Sequence, residues 1–249
     1  TFSGIYVLDS EVANNNVGDN TGAVAYGDFK PGMDEMPTGI LCGNAENANF
    51  MNCASSGSVS GSANNCGGLV GSLNGGSATN CYSTASVNTK GKWNVGGLIG
   101  SINNASVESC FSTGNVSGGQ TNIAGFIGSV GGVSSIKNCY STGNAESKKE
   151  DATNFTVLRQ AKGSSITDCY TTGAISASVA KSADDGNTVT NCYTLIGKLS
   201  DMTGFTAADM ATIKAKLSGA AWDNSGAEPK LKGIGVVTDS SAYQPGAVE

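Results

Sequence analysis

Apolar residues in this chain come in short runs, separated by Gly, Asn, Ser and Thr, and the runs recur. One pattern reads Gly67-Gly68-Leu69-Val70-Gly71, then Gly96-Gly97-Leu98-Ile99-Gly100, then Ala124-Gly125-Phe126-Ile127-Gly128. An earlier copy is Gly39-Ile40-Leu41-Cys42-Gly43. A second phrase follows: Asn80-Cys81-Tyr82-Ser83-Thr84 and Asn138-Cys139-Tyr140-Ser141-Thr142. Its variants are Asn52-Cys53, Ser109-Cys110-Phe111-Ser112-Thr113, Asp168-Cys169-Tyr170-Thr171-Thr172 and Asn191-Cys192-Tyr193-Thr194. These cysteines lie 28, 29, 29, 30 and 23 residues apart. A fixed period of that size marks a repeat architecture. Short apolar segments bounded by turn residues predict strands, and their glycine content argues against helix.

Each period holds these two segments and a weaker third after the Thr-Gly. About 29 residues is one circuit of a three-strand coil. Coils stacked at roughly 4.8 Å pair each strand with its copy in the next coil. The fold predicted is all-β: a parallel β-solenoid, right-handed by the handedness of parallel crossovers, with a small helical C-terminal cap. Six or so coils are expected, over residues 39–199. Phe155-Thr156-Val157-Leu158-Arg159 reads as a degenerate copy, with Arg159 in the place of the final glycine.

Parity predicts which side chains face inward. Glu108 and Lys137, two before their cysteines, cannot comfortably face a core. The chain should therefore bend at the Asn before each Cys, a residue that tolerates left-handed conformations. Cys, Ser, Gly and Val then point inward. Tyr82, Phe111, Tyr140, Tyr170 and Tyr193 form an outer stripe, a candidate binding surface for sugar rings or a partner protein. The competing role for the stripe is stabilisation of the sheet by stacking. Stacked Asn52, Asn80, Asn138 and Asn191 form a candidate hydrogen-bonded ladder.

The ends need covers, because a solenoid end exposes unpaired strand edges. Residues 1–38 read as an incomplete first coil, with strands at Ile5-Tyr6-Val7-Leu8 and within 22–27, and a capping loop over 28–38. Residues 200–236 read as a cap. There Thr206-Ala207-Ala208-Asp209 has capping-box spacing, and Met210, Ile213 and Leu217 follow at helical spacing before Gly219. The helix is expected over about 207–218, with Trp222 shielding the last coil. Residues 237–249 read as a tail.

Composition narrows the function. The chain has 249 residues, 14% charged, with a net charge of −6 and no histidine. An acidic chain is a poor binder of phosphate backbones, which speaks against a nucleic-acid partner. The commonest general base and transition-metal ligand is missing. No apolar run approaches the roughly 20 residues of a membrane helix, so no membrane insertion is expected. The start at Thr1 is read as a mature or excised form whose targeting signal has been removed.

Eight cysteines would ordinarily suggest disulfides. Six of them, Cys53, Cys81, Cys110, Cys139, Cys169 and Cys192, share one repeat position, while Cys66 and Cys42 stand where other copies carry Val or Ile. All eight read as small core residues, a role that buried thiols fill well. Neighbouring coils would place Cβ atoms roughly 4.8 Å apart, beyond a relaxed disulfide. A structural thiol ladder is expected, with no metal site and no cofactor. The acids are scattered; the best grouping that adjacent coils could make is Glu146, Glu150 and Asp151 with Asp184 and Asp185. No catalytic residue is assigned.

The paired Gly-Gly-Leu-Val-Gly and Asn-Cys-Tyr-Ser-Thr-Gly phrases resemble the GLUG-motif repeats of bacterial surface proteins, over roughly residues 39–197. Such repeats occur in adhesin-like and secreted proteins, including non-catalytic regions of some IgA-cleaving proteases. The resemblance implies surface display and supplies no catalytic or ligand residues. The expectation is a non-enzymatic extracellular repeat module, a rigid spacer or adhesin segment of a larger bacterial surface protein. Its partner would be a glycan or a protein of a host or neighbouring cell. The alternative is a carbohydrate-active β-helix enzyme of the lyase or glycosidase type.

Overall fold

The computed structural model describes residues 1–14, 37–90, 93–148, 152–158, 160–175, 186–195 and 204–236. Parallel strands stack in register to form a β-solenoid of about four turns, with one short helix among the described residues. The six cysteine-bearing rungs expected from sequence are present in one column, but the third side is complete in fewer. It holds Cys66–Gly67, Trp93–Gly96, Thr121–Ala124 and Ala152–Thr153. On the N-terminal flank only the isolated bridge of Thr38 to Cys66 extends that side, and no described strand extends it beyond Ala152–Thr153.

Register follows the repeat. Cys42 pairs with Val70, Val70 with Ile99 and Ile99 with Ile127. Cys66, Val95, Ile123 and Ala152 align likewise. On the next limb Val107, Ile136, Ile166 and Val189 align, and beyond the Cys corner Val59, Val87, Val116 and Ala145. Like stacks on like, which lets every coil bury the same face. In the degenerate copy Ile127 bridges Thr156, so Val157, not Arg159, stands opposite Gly128. One extra residue enters between Ala161 and Ser165, where the offset between neighbouring rungs steps from 29 to 30.

The bend before each cysteine is where parity places it. Asn52, Asn80, Ser109, Asn138, Asp168 and Asn191 all have φ between 51° and 54°. Cys, Ser, Gly and Val of the phrase are buried inside the coil: in one copy, Cys110, Ser112, Gly114 and Val116. The inward serines explain why the two phrases recur together. Ser55 Oγ donates to the Gly68 carbonyl at 2.9 Å, Ser112 Oγ to Gly125 at 2.6 Å and Ser141 Oγ to Asn154 at 3.1 Å. The hydroxyl of one phrase thus satisfies a buried carbonyl of the next apolar run, a group that is costly to leave unpaired.

The expected asparagine ladder forms only in part. Asn80 Nδ2 donates to Asn52 Oδ1 at 3.2 Å, but Ser109 interrupts the column. A second ladder, unforeseen from sequence, lies just before the glycine runs. Asn94 Nδ2 donates to Asn65 Oδ1 at 2.7 Å, and Asn122 Nδ2 to Asn94 Oδ1 at 2.6 Å. All three sit at positive φ, which explains the choice of Asn there.

The ends differ from expectation in detail. Phe2–Ser3 and Tyr6–Asn14 pair with Phe50–Met51 and Ala54–Gly61 as an incomplete first coil. The strand expected within 22–27 and most of the loop over 28–38 fall outside the described residues, as does the tail. The helix runs Met210–Lys216, shorter than the 207–218 expected. Its N-cap is Asp209, whose carboxylate accepts from Thr212 N at 2.7 Å. Thr206 cannot cap because Thr206–Ala208 is a strand pairing with Tyr193–Leu195. The solenoid therefore takes one more rung before the helix starts.

Candidate functional site

The two columns singled out by sequence are side by side, on opposite faces of one strand. Cys53, Cys81, Cys110, Cys139, Cys169 and Cys192 face the interior, each at most 2% exposed. Each thiol donates to the carbonyl two residues earlier, at 3.0–3.3 Å, as in Cys110 to Glu108 and Cys139 to Lys137. The next coil's sulfur also accepts: Cys81 N donates to Cys110 Sγ at 3.3 Å and Cys139 N to Cys169 Sγ at 3.4 Å. All eight cysteines are thiols in this structure. Cys42 is half-buried, because it belongs to the outermost complete coil, so the reading of all eight as core residues holds for seven.

Burial sets the chemistry of these thiols. It pushes Cys66 up to about 12 from 9.0. Burial likewise holds Cys110 and Cys169 well above the ordinary thiol value. Cys53 is raised first by its hydrogen bond with Cys81 and then by burial. With all six side chains of the column at most 2% exposed, a thiol reagent near neutral pH should leave the column of native protein unmodified and react with it on denaturation. A raised folded value means that the stability contribution is intact below the unfolded thiol value of about 9 and is lost as pH rises toward 12. Urea midpoints in reductant should therefore be flat up to about pH 9 and fall above it.

The aromatic column is brought together as expected. Tyr82 pairs with Phe111, Phe111 with Tyr140, Tyr140 with Tyr170 and Tyr170 with Tyr193. The first four rings stack at centroid separations of 4.9, 4.7 and 5.1 Å, within 11° of parallel. The column points out of the coil, as parity requires. It is not an open face, however. Tyr82, Phe111, Tyr140 and Tyr170 are 2% exposed or less, and Tyr193 is 8% exposed. As placed, these rings cannot stack on an external sugar, which corrects the picture of an exposed stripe.

The C-terminal segment is what covers the stripe. Trp222 packs 6.2 Å from Tyr140 and 5.6 Å from Tyr170, and Tyr170 Oη donates to the Pro229 carbonyl at 2.6 Å. Lys230 Nζ lies 5.2 Å over the Tyr140 ring. Trp222–Asp223 and Lys230–Leu231 form a two-stranded antiparallel ribbon, and Ile213, Leu217, Trp222 and Leu231 join the aromatic column in one cluster. Burial pushes the phenols of Tyr140 and Tyr170 up, with Glu228 adding to the effect. The sequence pattern predicts this segment over the last coil; it lies instead along the side of the solenoid, against Tyr140 and Tyr170. The apolar signal of Trp222 and Leu231 was legible, but not the direction of their fold.

The described carboxylates do not converge. Glu46 accepts from Asn74 Nδ2 at 3.1 Å, Glu108 lies beside Lys137 in the sheet and Glu146 beside Ser117. Of the acidic grouping considered from sequence, only Glu146 is among the described residues. No set of three His, Cys, Asp or Glu that could hold a metal occurs among those residues. No described helix is long and apolar enough to cross a membrane.

What the geometry defines is a parallel β-solenoid whose coils carry one recurring pair of phrases. The family model of the GLUG motif matches residues 91–117, so the chain carries that motif. Among solved structures the chain is similar to one described as "a putative immunoglobulin A1 protease" from Bacteroides ovatus. The TM-score is 0.62 at 17% identity, over 93% of this chain and 77% of that one. At that identity the likeness shows the fold. No curated protein matches the chain.

Proposed function

We propose that this chain is a non-enzymatic extracellular module of a bacterial surface protein, serving as a rigid display spacer. The observation that carries this is the covering of the aromatic stripe. The rings most available for binding are spent on clamping the C-terminal segment to the solenoid. Columns of Cys, Val, Ile and stacked rings tie each coil to the next, so load along the axis is spread over parallel ladders. The GLUG motif, in its ordinary setting of surface and secreted proteins, supports the extracellular part. Absence of histidine and the separation of Glu46, Glu108 and Glu146 onto different columns support a non-catalytic role.

Two measurements test this reading. Antibody against the solenoid should stain intact, unpermeabilised source cells; staining only after permeabilisation would overturn the surface assignment. Incubation with a panel of acidic and neutral polysaccharides and with immunoglobulin A1 should leave all of them uncleaved. Release of reducing ends or of peptide fragments would instead establish the enzymatic alternative.

A further inference from the structure

A cleft of about 270 Å³ opens between the Asn corner of the solenoid and the C-terminal end of the helix. Lys137, Asn138, Asp168 and Asn191 line it from the solenoid, and Lys216 and Trp222 from the covering segment. It therefore exists only because the C-terminal segment folds back along the side. Its size suits one sugar ring rather than a long ligand; ligand pockets for drug-sized molecules begin at roughly 300 Å³.

Two positions of the repeat bring charged side chains to this cleft. Lys137 pairs across the sheet with Glu108 and Thr167, and Thr79 and Met51 hold the same position in earlier coils, so Lys137 is the one cation of the column. Asp168 occupies the corner position that is Asn at 52, 80, 138 and 191, although the bend asks only for a residue tolerant of positive φ. Neither Lys137 nor Lys216 has a carboxylate within ion-pair distance among the described residues. Two unpaired ammonium groups facing one cleft are unexpected in a chain of net charge −6.

The solenoid wall also carries oriented polar groups. Tyr193 Oη donates to Asn191 Oδ1 at 2.7 Å, and Asn191 Nδ2 donates to Asp168 Oδ1 at 2.5 Å. This relay holds Asn191 and fixes which oxygen of Asp168 stays free to accept. Trp222 is 3% exposed, and its indole Nε1 is buried in the wall with no hydrogen-bond partner. Leu217, Ala220 and Ala221 give the cleft an apolar side.

We propose that this cleft binds a carboxylated monosaccharide, free or at the end of a glycan. Its carboxylate would lie between Lys137 and Lys216. Its hydroxyls would meet Asp168, Asn138 and Asn191, and its apolar ring face the Leu217–Trp222 side. A neutral sugar lacks the group that the two ammonium groups select, and a simple anion lacks the hydroxyls. This binding goes beyond the spacer role, and either can fail without the other.

The test is titration of the intact chain with glucuronate, with N-acetylneuraminate and with glucose, followed by amide chemical shifts and Trp222 fluorescence in a Trp93→Phe background. Saturable shifts are expected at residues 137, 138, 168, 191 and 220–222 with at least one acidic sugar and not with glucose. Which acid binds identifies the source as a uronic or a sialic sugar. Lys137→Ala and Lys216→Ala should each weaken binding about fivefold, the upper range for an exposed charge pair, and leave the circular dichroism unchanged. Added salt should weaken it too. Equal response to glucose, no saturable response to either acid, or unchanged affinity in both lysine variants would overturn the assignment.

Discussion

Replacing Trp222 with alanine is expected to cost about 3–5 kcal/mol of stability, the range for removing a buried aromatic side chain. The indole is 3% exposed and packs on both Tyr140 and Tyr170. Its removal should also loosen the Lys230–Leu231 strand that pairs with it, and with it the Tyr170–Pro229 hydrogen bond. Chemical denaturation would measure the loss. A dye that reports exposed apolar surface should bind the folded variant and not the parent, because Tyr140 and Tyr170 lie beneath. Leu231→Ala should act in the same direction and less strongly, since it removes fewer contacts at the same cover. A Trp222 variant within 1 kcal/mol of the parent, with no new dye binding, would show that the segment merely rests on the stripe.

Gly100→Ala should be comparably damaging through a different mechanism. A Cβ at this glycine would sit 2.4 Å from the Asn65 carbonyl carbon, 2.5 Å from the Gly71 oxygen and 2.6 Å from Cys66 N. These are backbone atoms of the preceding coil, so no side chain can swing aside. Overpacking of this kind costs about 3 kcal/mol at the upper end of its usual range. Gly128 meets the same arch one coil on, with Val95 N at 2.5 Å. The double variant should lose more than either single one and expose the thiol column to reagent. If Gly100→Ala unfolds at the parent's urea midpoint, the close approach is not what holds the glycine there.

The fold was legible because the solenoid stacks like on like. A residue's neighbours in space are its copies in sequence, so counting the period gives the pairing directly. The corner Asn, the inward Cys and the outward ring all followed from parity and one steric fact, that Glu108 and Lys137 cannot be buried. The register of the degenerate copy was misplaced by two residues, because glycines that mark the arch are absent there and Val157 takes the place. The helix start was misjudged because Thr206 pairs with Tyr193 in a strand, a long-range contact that outweighs a local capping pattern.

The candidate site was legible only as a set of residues. By itself the sequence determined the coil: which side chains stack, which face inward, and that the aromatic column points away from the thiols. Only the tertiary structure decided that this column is covered. The reason is that residues 204–236 obey no period. Their place is set by packing of Trp222 on Tyr140 and Tyr170, rings from two different coils, within one cluster that also holds Leu217 and Leu231. The same non-local packing creates the cleft between Lys137 and Lys216, two residues whose proximity no spacing in the chain encodes.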